Sequence, residues 1–149
     1  MVWGCISAKG MGNLHLVQST LDRFQYLDIL KENLKQSCVT LEIKDNFIFY
    51  QNNDPKPKSA IALTLFIYNH HHVLGRPAQS SGLNVIEQLR QEVSRKVYQR
   101  QYYNVAGLET ATWEAWNSIP PEFYQKLVAS IPGRLKPFLS VKLYATKYK

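Results

Sequence analysis

Asn46-Phe47-Ile48-Phe49-Tyr50-Gln51, running straight into Asn52-Asn53-Asp54-Pro55, is the stretch from which the rest of the chain is read. Its first six residues alternate only weakly and are rich in Phe, Ile and Tyr, which suits a buried strand. Pro55 ends that strand, because proline cannot donate to a central ladder. Upstream, Met1 to Ile6 and Leu14-His15-Leu16-Val17 are β-prone runs separated by Ser7-Ala8-Lys9-Gly10-Met11-Gly12-Asn13, whose two glycines allow the backbone to turn. Together they predict a β-hairpin over 1–18. Between hairpin and strand, Phe24, Leu27, Leu30 and Leu34 recur at spacings of three and four, and predict a helix capped by Ser19 or Thr20.

Downstream, Ser59 can cap a short apolar helix through Phe66 or Tyr68, and His72-Val73-Leu74 reads as a short strand closed by Gly75 and Pro77. Asn84 opens the clearest helix. Ile86, Leu89, Val93 and Val97 share one face, and Arg90, Arg95, Lys96 and Arg100 lie on the other. Two further helices, about Leu108 to Ser118 and Pro121 to Ser130, are divided by Pro120-Pro121. Strands early and helices late, with some alternation, predict an α/β or α+β domain.

The 149 residues are 45% hydrophobic, 12% aromatic and 19% charged, which is the balance of one globular domain. Lys and Arg number 18 against 11 acids, so the net charge of +7 favours a polyanionic partner. The longest apolar run, Ile61 to Tyr68, falls far short of the ~20 residues a membrane helix needs, so no membrane partner is expected. The amino-terminal residues lack a basic region ahead of an apolar block and do not read as a signal peptide. Cys5 and Cys38 form no CxxC pair and read as free thiols. These features predict an intracellular protein, nuclear or cytoplasmic, and not a secreted one.

Asn52 ends the predicted strand, and Glu87 lies in the first turn of the basic helix, with 34 residues between them. Strand ends and helix starts converge at one edge of an α/β sheet. A two-metal phosphoryl-transfer centre needs several carboxylates around two dications ~3.5–4 Å apart, and Glu87 is a candidate ligand. The competing reading is a capping box in which Glu87 reaches back to the Asn84 amide. His70-His71-His72 makes a poor zinc site, since at most His70 and His72 share a side and neither Cys nor acid is near. Trp113 and Trp116 suit a helical core better than base stacking. Arg90, Arg95, Lys96 and Arg100, with Arg134, Lys136, Lys142, Lys147 and Lys149, suit either phosphate contacts or a solvated face partly balanced by Glu92.

Several stretches also carry a family resemblance: Met1-Val2-Trp3-Gly4-Cys5-Ile6-Ser7, Gly12-Asn13-Leu14-His15, Asp28-Ile29-Leu30-Lys31-Glu32-Asn33-Leu34, Asp54-Pro55-Lys56, Leu83-Asn84 with Ile86-Glu87, Trp116-Asn117-Ser118-Ile119-Pro120 and Tyr144-Ala145-Thr146-Lys147-Tyr148. In this order they resemble the mariner superfamily of DNA transposases, in its Tc-type branch. The resemblance implies a ribonuclease-H-like (retroviral-integrase-like) domain in which three acids hold two magnesium ions for cutting and joining DNA. Glu87 matches the third acid. Asn52 stands where the second acid is expected, Pro57 where a motif His is expected, and Arg90 where a Trp is expected. The first acid belongs to a strand upstream of the Val-Trp-Gly-Cys run, so that acid and its strand are expected to be absent, along with the DNA-reading domains.

The expected fold is therefore an α/β ribonuclease-H-like core lacking its first strand, with extra C-terminal helices. Its parts are a hairpin at 1–18, a core to about 100 and a helical region at 105–149. The absent strand would lie between the hairpin and the strand at 46–51, leaving inner edges open to self-association or to a protein partner. The expected function is that of a catalytically inactive transposase derivative without a metal cofactor, retaining nonspecific DNA contacts. The alternatives are an interaction module recruited from a transposase core, an active magnesium-dependent DNA transferase and a decayed reading frame with no selected role.

Overall fold

A computed structural model of the chain describes residues 1–43, 47–49, 72–73 and 84–137. Strands β1 (Val2–Ser7) and β2 (Gly10–Leu16) form the expected antiparallel hairpin, with Trp3 opposite His15, Gly4 opposite Leu14 and Ile6 opposite Met11. The step from Leu14 to Met11 is one residue longer than that from Gly4 to Ile6, so β2 carries a bulge. Ser37 supports it: its hydroxyl accepts from the Asn13 N–H (2.8 Å) and donates to the Asn33 carbonyl (2.6 Å).

A helical column follows, made of α1 (Arg23–Ile29), a π-helical turn (Leu30–Leu34) and α2 (Lys35–Thr40). Its cap is Asp22 rather than Ser19 or Thr20. The Asp22 carboxylate accepts from the Phe24 and Gln25 N–H groups, both at 2.8 Å, while the Gln25 side chain accepts from the Asp22 N–H at 3.3 Å. This reciprocal box satisfies three donors, which a lone hydroxyl cannot. The expected apolar stripe holds at Leu30 and Leu34, with Leu27 half-buried, and fails at Phe24. Ile29, Leu30 and Leu34 are buried across the start and end of the π turn, while Phe24, at the start of α1, is exposed.

Strands β3 (Ile48–Phe49) and β4 (His72–Val73) pair in parallel and fall within the runs predicted as strands. Helices α3 (Ile86–Val97), α4 (Val105–Asn117) and α5 (Pro121–Ala129) follow, with a further helical stretch over 131–137. Pro121 occupies the first turn of α5, as its fixed φ favours. The predicted helix from Ser59, and Lys142, Lys147 and Lys149, lie outside the described residues.

The hairpin is covered on both faces. Trp3 packs with Leu30 and Leu34 of the helical column, and Val2, Ile6 and Leu14 pack with Leu89, Val93 and Trp116 on the other face. Gly4 is required at this contact, because a Cβ there would stand 2.5 Å from the Trp116 ring. The Trp116 indole N–H donates to the Gly12 carbonyl at 3.0 Å, joining α4 to β2 across 104 residues. Among the described residues the strands form two separate two-stranded sheets, β1-β2 and β3-β4.

Candidate functional site

The residues at the start of α3, Asn84 to Glu87, line a cavity together with β1. Asn84 is buried, at 6% exposure. Its side-chain oxygen accepts from the Ile86 N–H at 3.3 Å, while its amide nitrogen has no hydrogen-bond partner. The capping box proposed for Asn84 and Glu87 does not form. Glu87 is exposed and its carboxylate turns to the Arg90 guanidinium at 3.5 Å. An ion pair one turn along the helix wins because it needs no burial of the carboxylate.

Arg90 also donates to the Val2 carbonyl at 3.3 Å, tying α3 to β1. The other basic residues of this region are engaged, Arg95 and Arg100 exposed and Lys96 half-buried. Arg95 binds Glu92 through two hydrogen bonds, at 2.6 and 3.0 Å. That pairing holds the Glu92 carboxyl below its ordinary range. Lys96 donates to the Ser118 hydroxyl (2.9 Å) and carbonyl (3.2 Å), and Arg100 lies 3.9 Å from Glu114. The four cations named from the sequence thus run along α3 and just past its end, each with a local partner.

Between β1, β3 and the two helical layers lies a cavity of about 860 Å³. Trp3, Leu34 and Phe49 line it from one side and Val85, Val93 and Trp116 from the other. Glu87 and Arg90 are its only charged lining side chains among the described residues. Cys5 and Cys38, not joined in a disulfide, lie on its wall, and burial pushes the Cys5 thiol above its ordinary pKa despite a hydrogen bond with Ser37.

The structure separates the two tryptophans: Trp116 is core, whereas Trp113 is 40% exposed. Asn52, Asp54, Pro57, His70 and His71 lie outside the described residues. Among the described residues no three His, Cys, Asp or Glu side chains come together as a metal-binding group. Glu87, the described candidate ligand, is paired with the Arg90 guanidinium at 3.5 Å, both side chains about half exposed. The sequence reading missed the cavity and the orphaned Asn84 amide. The double apolar character of β1 and the position of Asn84 just ahead of an apolar helix were the available signals.

Helical layers on both faces of a central hairpin and a parallel strand pair define a ribonuclease-H-like α/β fold. Among solved structures it matches the catalytic domain of Mos1 mariner transposase, with a TM-score of 0.77 over 91% of this chain and 70% of that one at 15% identity. It also matches a structure of the Mos1 domain with raltegravir and manganese, with a TM-score of 0.74 over 91% and 71% at 16% identity. In sequence the chain is 36% identical over 148 residues to the Tc1 transposase of Caenorhabditis elegans and to the Tcb1 transposase of Caenorhabditis briggsae, covering 99% of this chain and 54% of each relative. It is 32% identical over 137 residues to the Tc3 transposase of C. elegans, covering 91% of this chain and 41% of that protein. No family model matches. The chain is homologous to the Tc1/mariner transposases over nearly its whole length, and it spans about half the length of the curated relatives it matches. No helix among the described residues is long and apolar enough to cross a membrane.

Proposed function

We propose that residues 1–149 act as one partial transposase catalytic domain that holds DNA by its phosphates and does not cut it, within the nucleus or cytoplasm. The observation that carries this reading is Asn52, which stands where the family motif has its second acid. A neutral amide can offer an oxygen but not the charge that draws a hard dication from water. Glu87, at the third-acid position, is paired with Arg90, so magnesium has no role in this reading. DNA contact is supported by the net charge of +7 and by Arg90, Arg95 and Arg100, which are exposed, with the half-buried Lys96 beside them. Exposed ion pairs such as Arg95–Glu92 are worth at most ~1 kcal/mol and yield readily to phosphate.

The test is anisotropy of a labelled duplex titrated with the chain without magnesium. If four phosphates are neutralised, affinity falls roughly a hundredfold between 50 and 200 mM salt. Binding that ignores salt would remove the phosphate reading. Nicking of supercoiled plasmid in magnesium, lost in Glu87→Gln, would show an active transferase instead. The cavity beside β1 favours a second reading, in which the open sheet edge serves a protein partner.

A further inference from the structure

The end of α3 and the turn that follows it present a surface of a different kind from the core. From Val93 to Leu108 the sequence holds Arg95, Lys96 and Arg100 and no acid, with Tyr98, Tyr102 and Tyr103 interleaved among the cations. The three tyrosines are not equivalent. The Tyr102 hydroxyl donates to the Val97 carbonyl at 2.7 Å and its ring packs on the core, whereas Tyr98 is 80% exposed and Tyr103 is 97% exposed. The turn is tied at both ends. The Tyr98 N–H reaches the Ser94 carbonyl at 2.8 Å and the Arg100 N–H reaches the Val97 carbonyl at 3.3 Å. The Asn104 side chain caps α4 by accepting from the Gly107 N–H at 2.7 Å. The two outer tyrosines therefore stand in water on a fixed backbone, where their rings add little to folding.

We propose that this turn is a stacking platform for single-stranded DNA, on which Tyr98 and Tyr103 receive the faces of unpaired bases while Arg95 and Arg100 hold the phosphates. It rests on the reading of these cations as phosphate contacts and names the form of DNA they meet. The cations select a polyanion, and the exposed rings select one that carries flat π-faces. In a duplex those faces are stacked on one another, whereas a single strand offers both bases and phosphates to one surface. Any base serves, because each has a π-face. The cations are within reach of such a strand. Arg100 lies 3.9 Å from Glu114 with both side chains largely exposed, and Arg95 is exposed beside Glu92. Exposed pairs of this kind are weak and give way to phosphate. Lys96 stays on Ser118 and adds charge nearby. An acidic protein surface would answer the cations but would leave the two rings without flat partners.

The test is anisotropy of fluorescein-labelled probes titrated with the full chain without magnesium: a short oligothymidine, an abasic strand, an oligouridine and a duplex, all of equal length. The oligothymidine should bind roughly thirtyfold tighter than the abasic strand, which carries the same phosphates without bases. Tyr98→Ala and Tyr103→Ala should each weaken oligothymidine binding roughly fivefold and leave the abasic strand unaffected, with unchanged urea midpoints showing that the fold is intact. Tyr103→Phe, which keeps the ring, should bind as the unaltered chain does. Arg100→Ala should weaken both strands alike and lower the slope of log affinity against log salt by roughly 0.7. Equal affinity for the oligothymidine and the abasic strand, or alanine variants that bind as tightly as the unaltered chain, would overturn the platform while leaving the phosphate contacts standing. Tighter binding of the duplex than of the oligothymidine would do the same. Tighter binding of the oligouridine would make RNA the occupant and overturn the assignment to DNA. No salt-dependent binding of any probe would remove the phosphate reading and the platform together.

Discussion

Glu42 takes φ 52°, in the left-handed region that L side chains avoid. It follows α2, where the Ile43 N–H reaches the Cys38 carbonyl at 2.9 Å and the Glu42 N–H reaches the Val39 carbonyl at 3.1 Å, the pattern of a Schellman stop. Glycine suits this position without strain. Glu42→Gly should raise stability by about 0.5–1 kcal/mol in urea unfolding, since the bonds at this position use its backbone N–H and its carbonyl, which accepts from Lys9, and glycine keeps both. No loss or gain on substitution would mean that the turn is not held in solution. A left-handed glutamate leaves no mark in sequence, because nothing local distinguishes it from a helical one. The same limit applies to Trp113 and Trp116: a spacing of three puts both near one helix face, and only the approach of Gly4 selects Trp116 for burial. Asn84 was legible as a residue at a helix start, but its orphaned amide depends on the distant β1 wall.

At the scale of elements, the hairpin, the strand at 48–49 and the basic helix were legible because each has a clear period or turn signal. The helical column was legible only in part. A π turn breaks the 3.6-residue period on which the predicted stripe relied, and the reciprocal Asp22–Gln25 box outcompetes nearby hydroxyls. Ser37 shows what joins these elements. It is 2% exposed and links α2 to the β2 bulge through Asn13, while Gly12 leaves space for it and for the Cys5 sulfur. Ser37→Ala removes the acceptor and strands a part-buried backbone N–H. It should therefore cost about 1–3 kcal/mol in urea unfolding and speed exchange at Asn13. Loss of stability without faster Asn13 exchange would place the role of Ser37 in packing instead.

For the whole molecule, the two helical layers are unequal. Among the described residues the α3–α5 side contributes nine buried residues that cluster with Leu14 of β2, whereas the α1–α2 side clusters Leu30 and Leu34 with half-buried neighbours, among them Tyr26 and Trp3. The thinner layer should open first, because local opening energy follows the apolar area that holds a unit in place. Tyr26 reports on that opening. Burial pushes its phenol from 10.0 up to about 12. The folded state therefore keeps its proton where the unfolded chain releases it, so stability is unaffected below pH 10 and declines as pH rises from 10 towards 12. The decline should amount to about 1–2 kcal/mol and be absent in Tyr26→Phe, whose ring keeps the packing but cannot ionise. Amides of α1 and α2 should then lose protection ahead of those in α3 and α4. If all the helices lose protection together, or if Tyr26→Phe shows the same alkaline decline, the layers unfold as one unit and Tyr26 is not the group that couples them to pH.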